Sequence, residues 1–296
     1  MEATIVRGAV NRAGHMIRRT RNALEWHATR SVRGRRPWCV DRWGHRYQAV
    51  SLADYAIVRD GNPEVHEARL LERLLRPGMT VLDVGANHGL FSLEAARHIG
   101  PTGRIHAFEP TPGVRDQLLI NLRSNDLDAI VEVIPAAVGA AEGSARFRVH
   151  HGMTALNTMA DRDIVWLGRP LAADEVIEVP VLTLDGHAAR AGLDFIDFLK
   201  IDVEGFERDV LRGARGLLAA RKIGLVMLEV GDGTCANAGI EPRAVLDELT
   251  ASGYDLFAIE PDGSVGPRIT AFPTDSFSAN YLARPATAIE IEEARS

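Results

Sequence analysis

The stretch Thr80–Glu94, TVLDVGANHGLFSLE, constrains the fold more than any other part of the chain. Val81 and Leu82 belong to a short apolar run with the character of a buried strand. Asp83 closes that run, and Gly85, Asn87 and Gly89 form a turn that few side chains could follow. Leu90, Phe91, Leu93, Ala95 and Ala96 then open a helix. Strand, glycine turn and helix make the unit with which open α/β sheets hold a nucleotide-like ligand beyond the carboxyl ends of their strands. Glycine serves there both for backbone angles closed to L-residues and for close approach to the ligand.

The spacing departs from the dinucleotide fingerprint. Asp83-x-Gly85-x-Asn87-x-Gly89 puts an acid inside the turn, where a pyrophosphate would be repelled. A ligand with a cationic amino-acid end and a ribose suits it better, which points to S-adenosylmethionine. Glu109 ends the next strand-like run, Ile105–Glu109, about twenty residues past the glycines, where ribose hydroxyls are usually gripped. A nicotinamide dehydrogenase and a nucleotide-shaped turn without ligand are the competing readings of the glycines alone.

Strands and helices alternate from here, as a parallel sheet requires. Strands are expected at Met79–Val84, Arg104–Phe108, Val131–Ala136, Phe195–Ile201, Gly224–Glu229 and Tyr254–Ile259. Ala279–Ala283 is expected as a final antiparallel strand beside the sixth. Helices are expected at Phe91–His98, Pro112–Asn121, Phe206–Leu218 and Pro242–Ser252, with one before the sheet that starts at Pro63 and stops at Pro77-Gly78. Ala137 leaves the third strand near the place of an adenine ring. Residues 140–182 break the rhythm as a sheet extension or a cap. His150, His151, Thr154 and Asn157 in that insertion are candidates for the mouth of a site, and His66 is a surface or cleft-edge residue.

Composition sets the outer limits. The chain has 296 residues, 46% hydrophobic and 25% charged, enough to bury a sizeable core. A net charge of -6 gives no global case for a nucleic-acid partner. Cys39 and Cys235 read as free thiols of a reducing, cytoplasmic compartment. No stretch has the length and apolarity of a membrane span. Residues 1–46 are dense in arginine, opposed only by Glu2, Glu25 and Asp41. A helix over Val10–Trp26 and a hairpin arm over Trp38–Val50 are expected there. This arm is an accessory packing element, a lid over the substrate mouth or an organellar targeting segment. Trp26, Trp38 and Trp43 could pack on their own domain or on a second copy in a homodimer. The expected organisation is a basic extension over 1–62, a catalytic domain over 63–288 and a frayed tail over 289–296.

The second informative stretch is FLKIDVEGFE, where Lys200, Asp202, Glu204 and Glu207 meet at the end of a buried strand. A core strand tolerates an unpaired charge poorly, so Lys200 needs a partner, and Asp202 shares its strand face. One account is a structural salt bridge with Glu204 at a helix N-terminus. The other places these groups over a methyl donor, where a lysine, a carboxylate or a histidine takes the proton of the acceptor. Lys200, Asp202, Glu204 and His151 are the candidates. Lys200 serves either as the base or to orient Asp202. Asp202, Glu204 and Glu229 supply enough carboxylates for magnesium, but no metal is expected.

With both stretches in hand, the chain resembles the FkbM family of S-adenosylmethionine-dependent methyltransferases. The matching segments are VLDVGANHGLFSLEAA, AFEPTPGVRDQLLINLRSN, VPVLTLDGH and IDFLKIDVEGFERDVLRGA with VMLEV. The resemblance implies a class I Rossmann-like α/β fold, with a seven-stranded, mostly parallel sheet and helices on both faces. It implies methyl transfer to a hydroxyl of a specialised metabolite, an antibiotic among them, or of a sugar. By resemblance, Asp83, Gly85, Asn87 and Gly89 cradle the amino-acid end of the cofactor. Glu109 holds the ribose, and Pro110 shapes the loop. Asn121 and Asn125 match helix-end asparagines whose ordinary role is capping or loop bonding. Asp185, Lys200, Asp202, Glu204 and Glu207 match the later signature. Transfer to nitrogen or a carboxylate, and a non-catalytic binding protein on the same fold, are the alternatives.

Overall fold

The computed structural model of the chain describes residues 27, 38–41, 44–49, 55, 58, 65–151, 153–166, 168–270 and 278–286. The expected helix over Val10–Trp26, Trp43 and the tail from 289 lie outside them. In chain order the strands are β1 (Trp38–Val40), β2 (Arg46–Gln48), β3 (Thr80–Val84), β4 (Arg104–Phe108), β5 (Val131–Ile134), β6 (Ala137–Val138), β7 (Gly143–Val149), β8 (Ile164–Trp166), β9 (Arg169–Leu171), β10 (Glu175–Leu182), β11 (Ile196–Ile201), β12 (Ile223–Gly231), β13 (Tyr254–Ile259), β14 (Val265–Arg268) and β15 (Ser278–Pro285). The helices are α1 (Val65–Leu74), α2 (Leu90–Ile99), α3 (Pro112–Arg123), α4 (Leu184–Ala191), α5 (Glu207–Arg212), α6 (Arg215–Ala219), α7 (Asp232–Ala238) and α8 (Pro242–Ala251).

An eight-stranded sheet in the order β14-β13-β15-β12-β11-β3-β4-β5 organises the described residues. Strands β12, β11, β3, β4 and β5 run parallel, while β15 is antiparallel to both β12 and β13. All seven strands expected from the sequence are present. The expected strand number was one too low, because Asp262 and Gly263 turn the chain back and β14 pairs antiparallel along the edge of β13. The short VGPR run has no two-residue alternation to announce it.

Side chains of the central strands alternate between two buried clusters. Leu82, Val84, Leu199 and Ile201 pack with Leu184, Val210, Leu217 and Val245 of α4, α5, α6 and α8. Val81 and Phe198 face the other way, with Leu70, Leu93 and Leu118 of α1, α2 and α3. By the same alternation Asp83 and Lys200, paired in register, fall on this second face. The insertion forms a separate sheet, β6-β10-β7, over its own small cluster of Ala137, Phe147, Val149, Val179 and Val181. Among the described residues no helix is long and apolar enough to cross a membrane.

The helix expected over Phe206–Leu218 is broken into α5 and α6. Gly213 lies so close to β6's exit that a Cβ there would stand 2.1 Å from the Gly139 carbonyl oxygen. The N–H groups exposed by the break at Gly216 and Leu217 donate to the Asp185 carboxylate of α4, at 2.8 and 2.9 Å. Asp185 thus caps a helix thirty-odd residues away. Asp185→Ala should cost about 0.5–2 kcal/mol, the range for loss of a helix cap. Urea unfolding followed by circular dichroism measures this; an unchanged midpoint would count against the capping role.

Candidate cofactor and active-site cleft

The carboxyl ends of β3, β4 and β11 border a cleft open to solvent. Its floor is set by close backbone approach. Gly85 has φ +84, and a Cβ there would sit 1.8 Å from the Asp202 carbonyl oxygen. The Asp202 N–H donates to Val84 O at 3.0 Å, and the Gly85 and Ala86 N–H groups donate to Phe108 O at 3.2 and 3.0 Å. The turn after β3 is therefore tied to the strands on both sides. Asn87 (φ +47) and Gly89 (φ +93) continue it with left-handed backbone. At Gly89 a Cβ would meet Leu118 Cδ1 of α3 at 2.5 Å.

Asp83 does not reach the cleft wall. It is fully buried behind the turn, where its Oδ2 accepts a 2.6 Å hydrogen bond from Ser92 Oγ. Lys200 Nζ lies 3.6 Å from Asp83 Oδ1 and donates to Gly85 O at 3.2 Å and to Asp202 Oδ2 at 3.1 Å. Burial raises the Asp83 carboxyl above its ordinary value, while Lys200 and Ser92 pull it back. The ammonium of Lys200 is held by the hydrogen bonds to Gly85 O and Asp202 and by the longer ionic contact with Asp83. Lys200 thereby ties the turn at Gly85 to Asp202. Gly89, like Asp83 and Lys200, supports the cleft from outside its lining.

Glu109 is on the wall, nearly buried at the end of β4. Its Oε2 accepts the Asn87 N–H at 3.1 Å and its Oε1 accepts the Thr111 N–H at 2.8 Å. Burial pushes the carboxyl up to about 7 against the pull of those bonds. Each carboxylate oxygen retains acceptor capacity beyond one bond. Arg115 Nη1 pins the loop from outside, donating to Glu109 O at 3.3 Å and Pro110 O at 3.1 Å. Pro110 lines the cleft, and Ala137, Val138 and Phe147 make an apolar stretch of its wall.

Asp202 and Glu204 line the β11 side. Glu204 has φ +54, a left-handed conformation uncommon for a residue with a side chain. Burial and the neighbouring Asp202, Glu229 and Glu207 carboxylates hold its carboxyl well above the ordinary range. Glu207 is buried behind this loop, and its Oε1 accepts from Val203 N at 3.2 Å and Gly205 N at 3.1 Å. Burial brings it to about 7. Among the described residues, no three His, Cys, Asp or Glu side chains gather as a metal site.

The insertion closes the outer side. Thr154 Oγ1 donates to Asn87 Oδ1 at 3.2 Å, Asn157 Nδ2 to Thr111 Oγ1 at 3.4 Å, and Thr158 Oγ1 to Glu204 O at 3.3 Å. Thr154 and Asn157 are thereby brought to the cleft mouth. His151 differs from expectation: its side chain is exposed, 3.6 Å from Glu175, and is not part of the lining. Ser92, Thr111, Phe147 and Met159 were not anticipated as site residues. Phe147 had a signal in the alternation of Ser144–His150, and Ser92 in its place in the first turn after the glycines.

Comparison with known proteins places relatives beside this chain. A family model described as the methyltransferase FkbM domain matches residues 83–256, more than half of the chain. The AMB antimetabolite synthetase AmbE of Pseudomonas aeruginosa is 30% identical over 72% of this chain and 11% of its own length. The 31-O-demethyl-FK506 methyltransferase FkbM of Streptomyces tacrolimicus is 33% identical over 47% of this chain and 60% of its own. The 2-O-methyltransferase NoeI of Sinorhizobium fredii is 26% identical over 69% and 83%, respectively. The matched part thus spans a small piece of the first relative and about three-fifths of the second. With the glycine turn, the strand-end carboxylate and the match over its central sheet together, the chain belongs to the FkbM family of S-adenosylmethionine-dependent methyltransferases.

Proposed function

We propose that the chain methylates a hydroxyl group of a small specialised metabolite or of a sugar, using S-adenosylmethionine. The observation that carries this reading is Glu109, a buried strand-end carboxylate beside a glycine turn with no room for a side chain at Gly85. The donor set fits the cofactor. Glu109 would accept both ribose hydroxyls, the apolar wall at Ala137 and Phe147 suits an adenine, and the turn at Gly85 and Asn87 suits the amino-acid end. Two relatives carry names for transfer to oxygen, a 31-O-demethyl-FK506 methyltransferase and a 2-O-methyltransferase.

When bound, the cofactor supplies a methyl group activated on a sulfonium. The residues of this chain do the rest. Asp202, held by Lys200, puts negative charge beside the site of the cation. Glu109 and Glu204 both stand on the wall with raised proton affinity. Glu109 is committed to the ribose side, so Glu204 in its ionised form would take the proton of the acceptor hydroxyl as the carbon–oxygen bond forms and the methyl carbon–sulfur bond breaks. The wall residues of the insertion exclude water. Magnesium has no part in this reading.

Calorimetric titration with S-adenosylmethionine and S-adenosylhomocysteine, with magnesium or with EDTA, tests the cofactor. Micromolar binding in both media is expected, and binding of NADH in its place would overturn the reading.

The pH dependence follows from Glu109. Ribose hydroxyls donate to the ionised carboxylate, so binding selects the deprotonated form and releases a proton. With the carboxyl at about 7, affinity should weaken on acidification below that pH and level off above it. The slope should approach about tenfold per pH unit. Glu109→Gln should bind about tenfold or more weakly at pH 8, as a charge-assisted pair is lost, and with a flat profile between pH 6 and 8. A Gln variant as pH-sensitive as the parent would reject Glu109 as the titrating group.

Glu204→Gln should retain cofactor affinity yet slow methyl transfer to a hydroxylated acceptor by about 10²–10⁴. Full turnover in that variant, measured as S-adenosylhomocysteine release across an acceptor panel, would remove Glu204 as the base.

A further inference from the structure

On one face of α3 and its continuation, Gln117, Asn121 and Asn125 stand at four-residue spacing, so their amides form a row. That row meets β2 as a strand would. Gln117 Nε2 donates to Gln48 O at 3.0 Å, and Gln48 N–H donates to Asn121 Oδ1 at 2.9 Å. Two residues along, Arg46 N–H donates to Asn125 Oδ1 at 2.8 Å, and Asn125 Nδ2 donates to Arg46 O at 2.7 Å. Side-chain amides thus satisfy the free edge of the β1–β2 hairpin through its backbone. Tyr47, between the two contacts, is buried in the core on the α3 side of the sheet.

Asn121 is fully buried and does a second thing. Its Nδ2 donates to His88 O at 2.8 Å, inside the glycine turn. An amide has one acceptor end and one donor end. The N–H of Gln48 claims the oxygen, which fixes the amide so that its NH₂ faces the His88 carbonyl. The next residue back, Asn87, lines the cleft and gives its N–H to Glu109. A path of hydrogen bonds, joined by the covalent backbone of Asn87 and His88, therefore runs from the hairpin through Asn121 and the turn to Glu109.

We propose that the β1–β2 hairpin is a positioning element for the cofactor, acting through Asn121 to hold the Asn87–His88–Gly89 turn in its binding conformation. This rests on the cofactor reading of the cleft. Asn121 is a positioning residue and touches no substrate. The basic extension is thereby joined to cofactor binding by its backbone, whatever its side chains do for an acceptor.

Two variants of the full chain test this with S-adenosylhomocysteine as probe. Asn121→Asp keeps the acceptor for Gln48 and loses the donor to His88. It should bind about tenfold more weakly, with faster amide exchange at Asn87–Gly89 and unchanged exchange at Arg46–Gln48. Asn125→Ala lies at the partly exposed end, away from the turn, and should fold normally. It should speed exchange at Arg46–Gln48 and weaken binding severalfold. Affinity within twofold of the parent in Asn121→Asp, or in Asn125→Ala with a loosened hairpin, overturns the proposal. A parent chain that binds no S-adenosylhomocysteine overturns the cofactor reading itself, which is a different result. Should Asn121→Asp not fold, the Asn125→Ala outcome decides.

Discussion

The close contact between the Gly85 backbone and the Asp202 carbonyl is the constraint on which the rest of the site depends. It sets the ends of β3 and β11 against each other, with no side chain between them. Lys200 then spans the seam, bonded to Gly85 O and Asp202 and facing Asp83. An ammonium so nearly buried is tolerable because acceptors meet it on several sides. The two most distinctive stretches of sequence are therefore two halves of one contact.

Around that seam the chain collects carboxylates at unusual density. Glu109, Glu204 and Glu207 are all raised by burial, and Glu204 also by its acidic neighbours. Each resists carrying negative charge where it is buried, and that resistance is what raises its proton affinity. Left-handed backbone at Asn87 and Glu204 flanks the cleft. Strain of this kind gathers at binding sites because the surrounding packing holds it in place.

Much of the site was legible in the sequence because it depends on local rules. Gly85 and Gly89 announce the turn, Glu109 is one strand further on, and Lys200 pairs with Asp202 by the two-residue period. Other features had no local signature. Asp83 reads as a cradle residue in the motif, yet the strand's alternation turns its carboxylate to Ser92 and Lys200, behind the turn. The break at Gly213 needed the position of Gly139, and Asp185 became a cap only because α4 lies beside α6. Asn121 and Asn125 read as helix-end asparagines for capping or loop bonding, but that they and Gln117 meet a strand edge shows only once β2 lies against them.

Sequence by itself determined the seven principal strands of the main sheet and the helices between its first three strands, the glycine turn and the acidic character of the strand ends, since periodicity and backbone steric limits act over a few residues. Tertiary structure alone decided which of those acids face the cleft and which brace it. It also decided that His151 stands apart from the site and that the amino-terminal hairpin rests on the helix behind the turn. These are contacts between residues far apart in the chain. Their energies come from burial and from the pairing of donors with acceptors, which take effect only once the sheet has brought the partners together.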